Sequence, residues 1–378
     1  MATILLYGDT VRYPAVRHEV PLEIVDPVLF VAGNGRSRVS CSSLESARVA
    51  EVLPDADVVT LDELGFFELL TDGMPRDEAE LEVVVRALER WGVNEATVPG
   101  DLGVSVADRL RDAGIAVTVD SSAVEARRRV KTGAELDGIK RAQRAAEAGM
   151  AAGEALIRSA DRQDGKLVVD GHLLLAESLR AAVRNACGAA GAPAPPTIMV
   201  SSMYARGGHD PGSGPLPADN PITIDVWPRD EASACWADMT RTFVNGEITG
   251  EVAALRDVVR EALEAVRAAA RPGITGRGLY DIAAQVVEDA GHPTQRTREP
   301  GESLTHGFYF ALGHGVGLEV HEPPGLGLSG SDELVAGDVI AVEPGIEGIE
   351  NIGGVRFEDL LLITADGCET LTQYPYDL

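Results

Sequence analysis

The sequence predicts two domains: an α/β domain over residues 1–125 and an α+β domain over residues 126–378, the second built from pseudo-twofold halves. Before residue 125, short strand-like runs alternate with amphipathic helical segments. After it, two pairs of helical segments are each followed by strands. A chain of 378 residues with 45% hydrophobic residues is long and apolar enough to form a core in each domain.

The N-terminal segment alternates strand and helix patterns. The predicted strands are TILLYG, VLFVAG, DVVTL, ATVP and IAVTV, and the predicted helices are SLESARVAEVL, EAELEVVVRALERWG and SVADRLRDAG. The run GNGRSRV, which follows the second strand, partly matches a glycine-rich nucleotide-binding turn but lacks the full fingerprint. We therefore interpret it as a plain strand-to-helix loop.

The second domain begins with a helix signal. Thr132 and Glu135 have the spacing of a capping box, and small or apolar residues from Ile139 to Ile157 then recur at helical spacing. A second helix is predicted around HLLLAESLRAAVRNA. The pattern recurs when Thr249 precedes GEVAALRDVVREALEAVRAAA and GRGLYDIAAQVVEDAG follows. This repetition predicts the two halves.

Composition and charge exclude several classes of partner. A formal net charge of −27 argues against binding to nucleic acid or to an anionic membrane surface. The N-terminus lacks a basic stretch followed by a long apolar run, and no apolar run is long enough to span a bilayer. The cysteines are widely spaced and form no CxxC pair, so reduced thiols are expected. We expect a cytoplasmic protein.

The C-terminal third carries a set of metal-ligating side chains. Carboxylates and one imidazole form a hard, oxygen-rich set, which neutralises two divalent cations better than one and suits Mn, Co or Zn. Mn is the preferred candidate. The residues stand in the phrases ITIDVWP, ADMTRTF, ALGHGVGLEVHE, AVEPGI and GGVRFED, and they are Asp225, Asp238, His314, Glu343 and Glu358.

The spacing of the first two ligands fits a strand hairpin. ITIDV alternates as a strand does, so Asp225 faces away from its apolar neighbours and toward a cleft. In DMTRTF the same period places Asp238 on the face of Thr240 and Thr242. The segment RDEASACWA is short enough for a looped hairpin that brings the two aspartates side by side. Cys235, on that loop, is interpreted as a small buried hydrophobe.

The remaining ligands also lie on strand patterns. In GGVRFED, Arg356 and Glu358 alternate with apolar residues and share one face, where the cation partly neutralises the carboxylates. Pro344 keeps Glu343 extended and ends its strand. His314 and His321 are an odd number of positions apart, and the glycines around them permit a bulge or a close backbone approach.

These motifs resemble those of the creatinase/aminopeptidase metallopeptidases of the pita-bread fold, the family of methionine aminopeptidase, aminopeptidase P and prolidase. The resemblance covers the chain in outline and is most specific between residues 209 and 358. It implies that Asp225 chelates one metal ion and that His314 and Glu343 hold the other. Asp238 and Glu358 would bridge both ions.

The resemblance also implies the catalytic residues. Glu343 would handle protons, and His209 and His321 would contact the substrate and stabilise the tetrahedral intermediate. Arg356 matches a residue that orients the site. Members of this family often have an N-terminal domain that helps to form a homodimer, so a homodimer is expected here.

Departures from the family pattern concern the pocket wall. The segment between Asp225 and Asp238 is a couple of residues longer than usual, which predicts an enlarged loop. Phe310 and Ala311 replace a His-Gly pair, and Trp236 stands near a common Gly-Tyr pair. Because these departures do not affect the metal ligands, the resemblance supports hydrolysis more strongly than it supports any particular substrate specificity.

The expected function is metal-dependent hydrolysis of the bond between an N-terminal residue and proline, by an Xaa-Pro aminopeptidase or an Xaa-Pro dipeptidase (prolidase). A full N-terminal domain favours these enzymes over methionine aminopeptidase. The substrate would be a small peptide with proline at the second position. Two alternatives stay open: a non-peptidase enzyme on the same scaffold, lyase or amidinohydrolase-like, and a catalytically silent binding module.

Overall fold

The structure of the protein is a computed structural model that describes residues 3–203 and 210–378. The chain divides into two compact units, Met1–Arg128 and Arg129–Leu378. Apolar side chains form separate buried clusters in each unit. The division into two domains after residue 125 stays a prediction.

The first unit is an α/β unit around a six-stranded sheet of order β4-β3-β2-β1-β5-β6. The sheet is mixed, because β2 pairs antiparallel with β1 and β3 while the pairs β1-β5, β3-β4 and β5-β6 are parallel. In chain order the elements are β1 (Ile4–Gly8), α1 (Pro14–Glu19), β2 (Val28–Gly33), β3 (Arg36–Cys41), α2 (Ser46–Val52), β4 (Asp57–Thr60), a 3-10 helix (Asp62–Leu64), α3 (Phe66–Thr71), α4 (Arg76–Trp91), β5 (Glu95–Val98), α5 (Val104–Asp112), β6 (Ala116–Val119) and α6 (Ser121–Arg129).

The interpretation of GNGRSRV as a strand-to-helix loop was wrong. Asn34 and Gly35 both have positive φ, 53° and 72°, and they form the turn of a hairpin. The residues that follow form strand β3, paired antiparallel with β2. An Asn-Gly pair between two extended runs favours this hairpin turn, because both residues tolerate the left-handed conformation.

The second unit begins with the long helix and contains the remaining strands. Its elements are α7 (Gly133–Ser159), β7 (Asp161–Gln163), β8 (Lys166–Val169), β9 (His172–Leu173), α8 (Ala176–Ala189), β10 (Met199–Ser202), β11 (Ile222–Val226), β12 (Met239–Phe243), α9 (Gly250–Ala269), α10 (Gly276–Asp289), β13 (Gly313–Gly315), β14 (Glu322–Leu326), β15 (Val339–Val342), β16 (Gly345–Ile349), β17 (Gly353–Arg356), β18 (Asp359–Ile363) and β19 (Cys368–Thr370).

Two helix pairs each cover strands, as the sequence pattern predicted. Helices α7 and α8 pack against each other and against the sheet β10-β11-β12. Helices α9 and α10 pack together, with α9 against the hairpin β16-β17 and α10 against β14 of the sheet β14-β13-β15-β18-β19. The second helix starts at Ala176, later than predicted, because His172 and Leu173 form strand β9.

Threonine side chains cap the starts of helices α7 and α9. Thr132 Oγ1 accepts a hydrogen bond of 3.2 Å from the backbone N–H of Glu135, and Glu135 Oε2 accepts one of 2.8 Å from the N–H of Thr132, so the predicted capping box is present. Thr249 caps α9 through the N–H of Val252. None of the helices in the described residues is long and apolar enough to cross a membrane.

Candidate metal centre

The side chains predicted to bind metal meet in one cavity of the second unit. The cavity has a volume of about 570 Å³. It contains all of the predicted ligands, together with His321 and Arg356: Asp225, Asp238, His314, Glu343 and Glu358. The sequence therefore identified a real cluster, although the role of each residue stays a prediction.

Asp225 lies on strand β11, and Asp238 lies directly before the neighbouring strand β12 of the same hairpin. The register pairs Asp225 with Thr240, so Asp238 lies just before the first paired residue of β12. Donor oxygens of Asp225, Asp238 and Glu358 lie within 4.8 Å of one another. The predicted juxtaposition of the two aspartates is confirmed.

Glu358 lies in a gap between two strands. The sequence pattern suggested one continuous strand through Arg356 and Glu358, but β17 ends at Arg356 and β18 starts at Asp359 in a different sheet. The backbone N–H of Glu358 bonds instead to the carbonyl of Thr240, at 3.1 Å. Thr240 Oγ1 donates to Glu358 Oε2 at 2.7 Å, whereas the buried Oε1 has no hydrogen-bond partner among the described residues.

His314 and Glu343 approach the cluster from two paired strands. His314 Nε2 lies 3.8 Å from Asp238 Oδ2 and 3.7 Å from Glu343 Oε1. Glu343 follows the last residue of β15 directly, as predicted. A side chain at Gly313 would overlap the carbonyl oxygen of Ala341, and the register shifts in this part of β13, which confirms the close approach expected there.

His321 reaches the same cavity as His314. The centroids of the two rings are 4.1 Å apart, and a ring nitrogen of His321 lies within 4.8 Å of donor atoms of Asp238 and His314. These distances are compatible with a ligand as well as with a substrate-side histidine. His209, the other predicted substrate-side histidine, lies outside the described residues.

Arg356 connects several acidic groups. Its Nη2 donates to Asp225 Oδ2 at 2.6 Å, and its Nη1 lies 3.6 Å from Glu343 Oε2. Its Nε lies 3.7 Å from Glu347 Oε1. Burial alone would lower the pKa of Arg356, but the carboxylates around it raise the pKa overall, so this residue is a permanent cation.

The electrostatics of the cluster fit a cation-binding site. Burial, reinforced by neighbouring carboxylates, raises the pKa of Asp238 and Glu358 well above the usual range and that of Glu343 to about 7. Burial and the nearby His321 lower the pKa of His314 to about 4, so its imidazole is neutral at pH 7, the form that binds metal. Buried like charges of this kind are stabilised by bound cations.

The donor atoms of the five predicted ligands form two overlapping sets, beside a third set in which Asp238 and His314 are joined by His321. Atoms of Asp225, Asp238 and Glu358 make one set, and atoms of His314, Glu343 and Glu358 make the other, each within 4.8 Å. The chemistry of both sets suits hard or borderline divalent ions. Together with the orphaned Oε1 of Glu358, they show that the residues present fit a divalent metal site.

The cavity walls differ partly from the expectation. Phe310 and Ala311 line the cavity as predicted, but Trp236 does not. The backbone of Trp236 forms an isolated β-bridge with Arg229, and the guanidinium carbon of Arg229 lies 5.6 Å from the centre of the Trp236 ring. Cys235 is fully buried, as expected. Trp227 lines the cavity and was missed, although its position two residues after Asp225 places it on the same strand face.

Comparison with known proteins identifies the family. The profile of metallopeptidase family M24 matches residues 137–365, which include every predicted metal ligand. The chain belongs to metallopeptidase family M24. Two solved structures cover almost the whole chain and confirm the pita-bread architecture. The prolidase from Pyrococcus horikoshii has a TM-score of 0.73 and 23% identity over 99% of this chain and 94% of its own. The X-Pro aminopeptidase from Thermotoga maritima has a TM-score of 0.76 and 20% identity over 100% and 98%.

Sequence relatives match more closely over shorter lengths. An Xaa-Pro dipeptidase from Pyrococcus horikoshii is 39% identical over 142 residues, 38% of this chain and 37% of that protein. An uncharacterized peptidase from Staphylococcus saprophyticus is 36% identical over 179 residues, 47% of each chain. The M24 chain thus spans less than half the length of these curated relatives.

Proposed function

We propose that this M24 protein is a dinuclear metal-dependent peptidase that hydrolyses the bond between an N-terminal residue and proline. The observation that carries the proposal is the pair of overlapping donor sets that share Glu358. Asp225 would bind one ion, His314 and Glu343 the other, and Asp238 and Glu358 both. Mn is the proposed metal, with Co and Zn as alternatives, and a cytoplasmic homodimer is the proposed form.

Bound divalent cations would acidify a water molecule and polarise the peptide carbonyl. Side chains of the protein would supply the proton transfer and the stabilisation of the oxyanion. By the family resemblance, Glu343 would accept a proton from the attacking water and return it to the departing amine. His321, and His209 by the family resemblance, would donate hydrogen bonds to the developing oxyanion.

Arg356 and the cavity walls would position the substrate and the ligands. The ion pair with Arg356 fixes Asp225 Oδ2 and leaves the other carboxylate oxygen for metal. Trp227, Phe310 and Val320 form an apolar wall of the kind that accepts a proline ring. Specificity for proline follows from this wall, whereas the hydrolytic chemistry follows from the carboxylates.

The experiment is a substrate panel on protein loaded with Mn²⁺. We expect cleavage of Ala-Pro and of Ala-Pro-Ala, or of one of the two, and much slower cleavage of the matched peptides Ala-Ala and Ala-Ala-Ala. Activity on the dipeptide alone would identify a dipeptidase, and activity on the tripeptide would identify an aminopeptidase. No cleavage of any Xaa-Pro peptide by metal-loaded protein would contradict the proposal.

A further inference from the structure

A second cavity opens beside the metal cavity and shares two of its residues. It has a volume of about 360 Å³ and meets the metal cavity at Tyr309 and Glu347. We call it the acidic chamber, because its described lining includes the carboxylates Glu347 and Glu350 and no lysine, arginine or histidine. The uncharged polar side chains of this lining carry hydroxyls and one amide, and they belong to Ser201, Ser202, Thr223, Thr305, Tyr309 and Asn351.

The wall that carries the two carboxylates is held in place by backbone contacts. The N–H of Gly307 donates to the carbonyl of Glu347 at 2.8 Å, and the N–H of Glu347 donates back at 3.1 Å. Asn220 Nδ2 donates to the carbonyl of Asn351 at 2.8 Å. A positive group that enters the chamber would therefore meet a wall whose backbone is already ordered at Glu347 and Asn351, on either side of Glu350.

The charge of this wall is only partly neutralised. Glu347 lies 3.7 Å from the guanidinium of Arg356, which is already shared with Asp225 and Glu343. Glu350 is exposed and forms no ion pair with any described residue. The described lining of the chamber therefore favours a cation over a neutral or anionic group.

The two cavities differ in the chemistry of their lining. The metal cavity offers the apolar wall that suits proline, and this leaves the acidic chamber for the other side chain. We propose that the chamber is the subsite for the N-terminal residue and that it selects lysine or arginine; this inference rests on the proposed function. Its volume of about 360 Å³ accommodates a long cationic side chain.

The test measures selectivity. Initial rates of hydrolysis would be compared for Arg-Pro, Lys-Pro, Met-Pro and Glu-Pro on wild type, Glu350→Gln and Glu350→Lys, with the exposed Glu369→Gln as the control. We expect wild type to favour Arg-Pro and Lys-Pro over Met-Pro by about tenfold in kcat/KM, and Glu350→Gln to reduce this ratio by about fivefold. Glu350→Lys should favour Glu-Pro. Glu369→Gln should keep the wild-type ratio.

Two outcomes overturn the inference. One is hydrolysis of all four dipeptides at similar kcat/KM by wild type. The other is an equal loss on Arg-Pro and Met-Pro in Glu350→Gln, which would mean that the carboxylate binds the α-ammonium common to every substrate.

A binding experiment distinguishes an error in the subsite inference from an error in the proposed function. Argininamide and norleucinamide share an α-ammonium and differ in side-chain charge. Calorimetry on wild type and Glu350→Gln should give tighter binding of argininamide only while Glu350 is present. If no dipeptide is cleaved but this selectivity holds, the proposed function is wrong and the cation subsite stands. If selectivity for argininamide is absent, the subsite is wrong.

Discussion

Thr240 holds one oxygen of Glu358 and leaves the other without a partner. The hydroxyl of Thr240 donates to Glu358 Oε2 at 2.7 Å, while Oε1 is buried and accepts no hydrogen bond from the described residues. Thr240 lies two residues after Asp238 on the same strand face. One hydroxyl therefore couples strand β12, which directly follows Asp238, to the carboxylate proposed to bridge both metal ions.

Removal of this hydroxyl should weaken metal binding and keep the fold. Thr240→Val is nearly isosteric, and the loss of a hydrogen bond to a metal ligand typically costs about 10–100-fold in metal affinity. Titration with Mn²⁺ of protein stripped of metal measures the effect. Thr240→Ser retains the hydroxyl and should bind metal like wild type. Equal affinities of Thr240→Val and wild type would mean that the hydrogen bond does not position Glu358.

His321→Ala should lower turnover far more than metal content. Loss of one donor to a developing oxyanion typically costs about 10²–10³ in turnover. Metal stoichiometry and turnover measured on the same preparation separate this role from ligation, which the short distance to His314 and Asp238 also permits. A parallel loss of metal and activity would make His321 a ligand, and wild-type turnover would leave it without a catalytic role.

Protein stripped of metal should become less stable as pH rises. The pKa of Glu343 is raised from 4.5 to about 7 in the folded protein, and the pKa values of Asp238 and Glu358 are raised too. The folded state then binds more protons than the unfolded chain, so the free energy of unfolding falls as pH rises through this window. Bound Mn²⁺ competes with these protons, so its stabilising effect should grow over the same range.

Urea unfolding at pH values from about 5 to about 8, with chelator and with Mn²⁺, measures both trends. The double variant Asp238→Asn/Glu358→Gln is the control, because it removes two of the titrating groups and should flatten the pH dependence. A free energy of unfolding that rises with pH in the chelated wild-type protein would contradict the pKa assignments.

Asp230 should stabilise the loop between β11 and β12 in a pH-dependent way. Burial would raise the pKa of Asp230, but hydrogen bonds from Arg141 and Ser233 lower it from 3.8 to about 2. Asp230→Asn should lower the free energy of unfolding by about 1–2 kcal/mol at neutral pH. The expected loss is small because the side chain of Arg141 is 43% exposed and water screens the ion pair. Because the folded pKa is depressed, this contribution is present above pH 3.8 and is lost as the pH falls toward 2.

Urea unfolding of Asp230→Asn and of wild type from neutral pH down to about pH 3 measures the difference. Glu231→Gln, a change at the neighbouring exposed carboxylate, should have no comparable effect. A gap between Asp230→Asn and wild type that stays constant or widens on acidification would contradict the depressed pKa.

Much of the fold could be predicted because local signals agree with tertiary packing. The capping residues Thr132 and Thr249 mark the starts of α7 and α9, and the strand alternation in ITIDV places Asp225 toward the cavity. The cluster of ligands was predictable for a different reason. Their order and flanking phrases resemble a known family, and no single aspartate or glutamate would have been identified from its own neighbours.

The errors arose where long-range contacts decide the local structure. The alternation of Arg356 and Glu358 suggested one strand, but the backbone of Glu358 bonds to Thr240 and leaves the hairpin. Trp236 packs beside Arg229 instead of lining the cavity. The acidic chamber was not predictable, since Glu347 and Glu350 look like ordinary surface carboxylates until the fold brings Ser201 and Tyr309 beside them.

The number of divalent ions bound per chain tests the central claim most directly. Protein stripped with chelator, reloaded with Mn²⁺ and freed of excess metal would be measured by elemental analysis, with Asp238→Ala/Glu358→Ala as the matched control. The overlapping donor sets predict close to two ions per wild-type chain and a large loss in the control, because both sets lose a shared carboxylate. A wild-type chain that holds no metal after reloading, or as much as the control, would contradict the account.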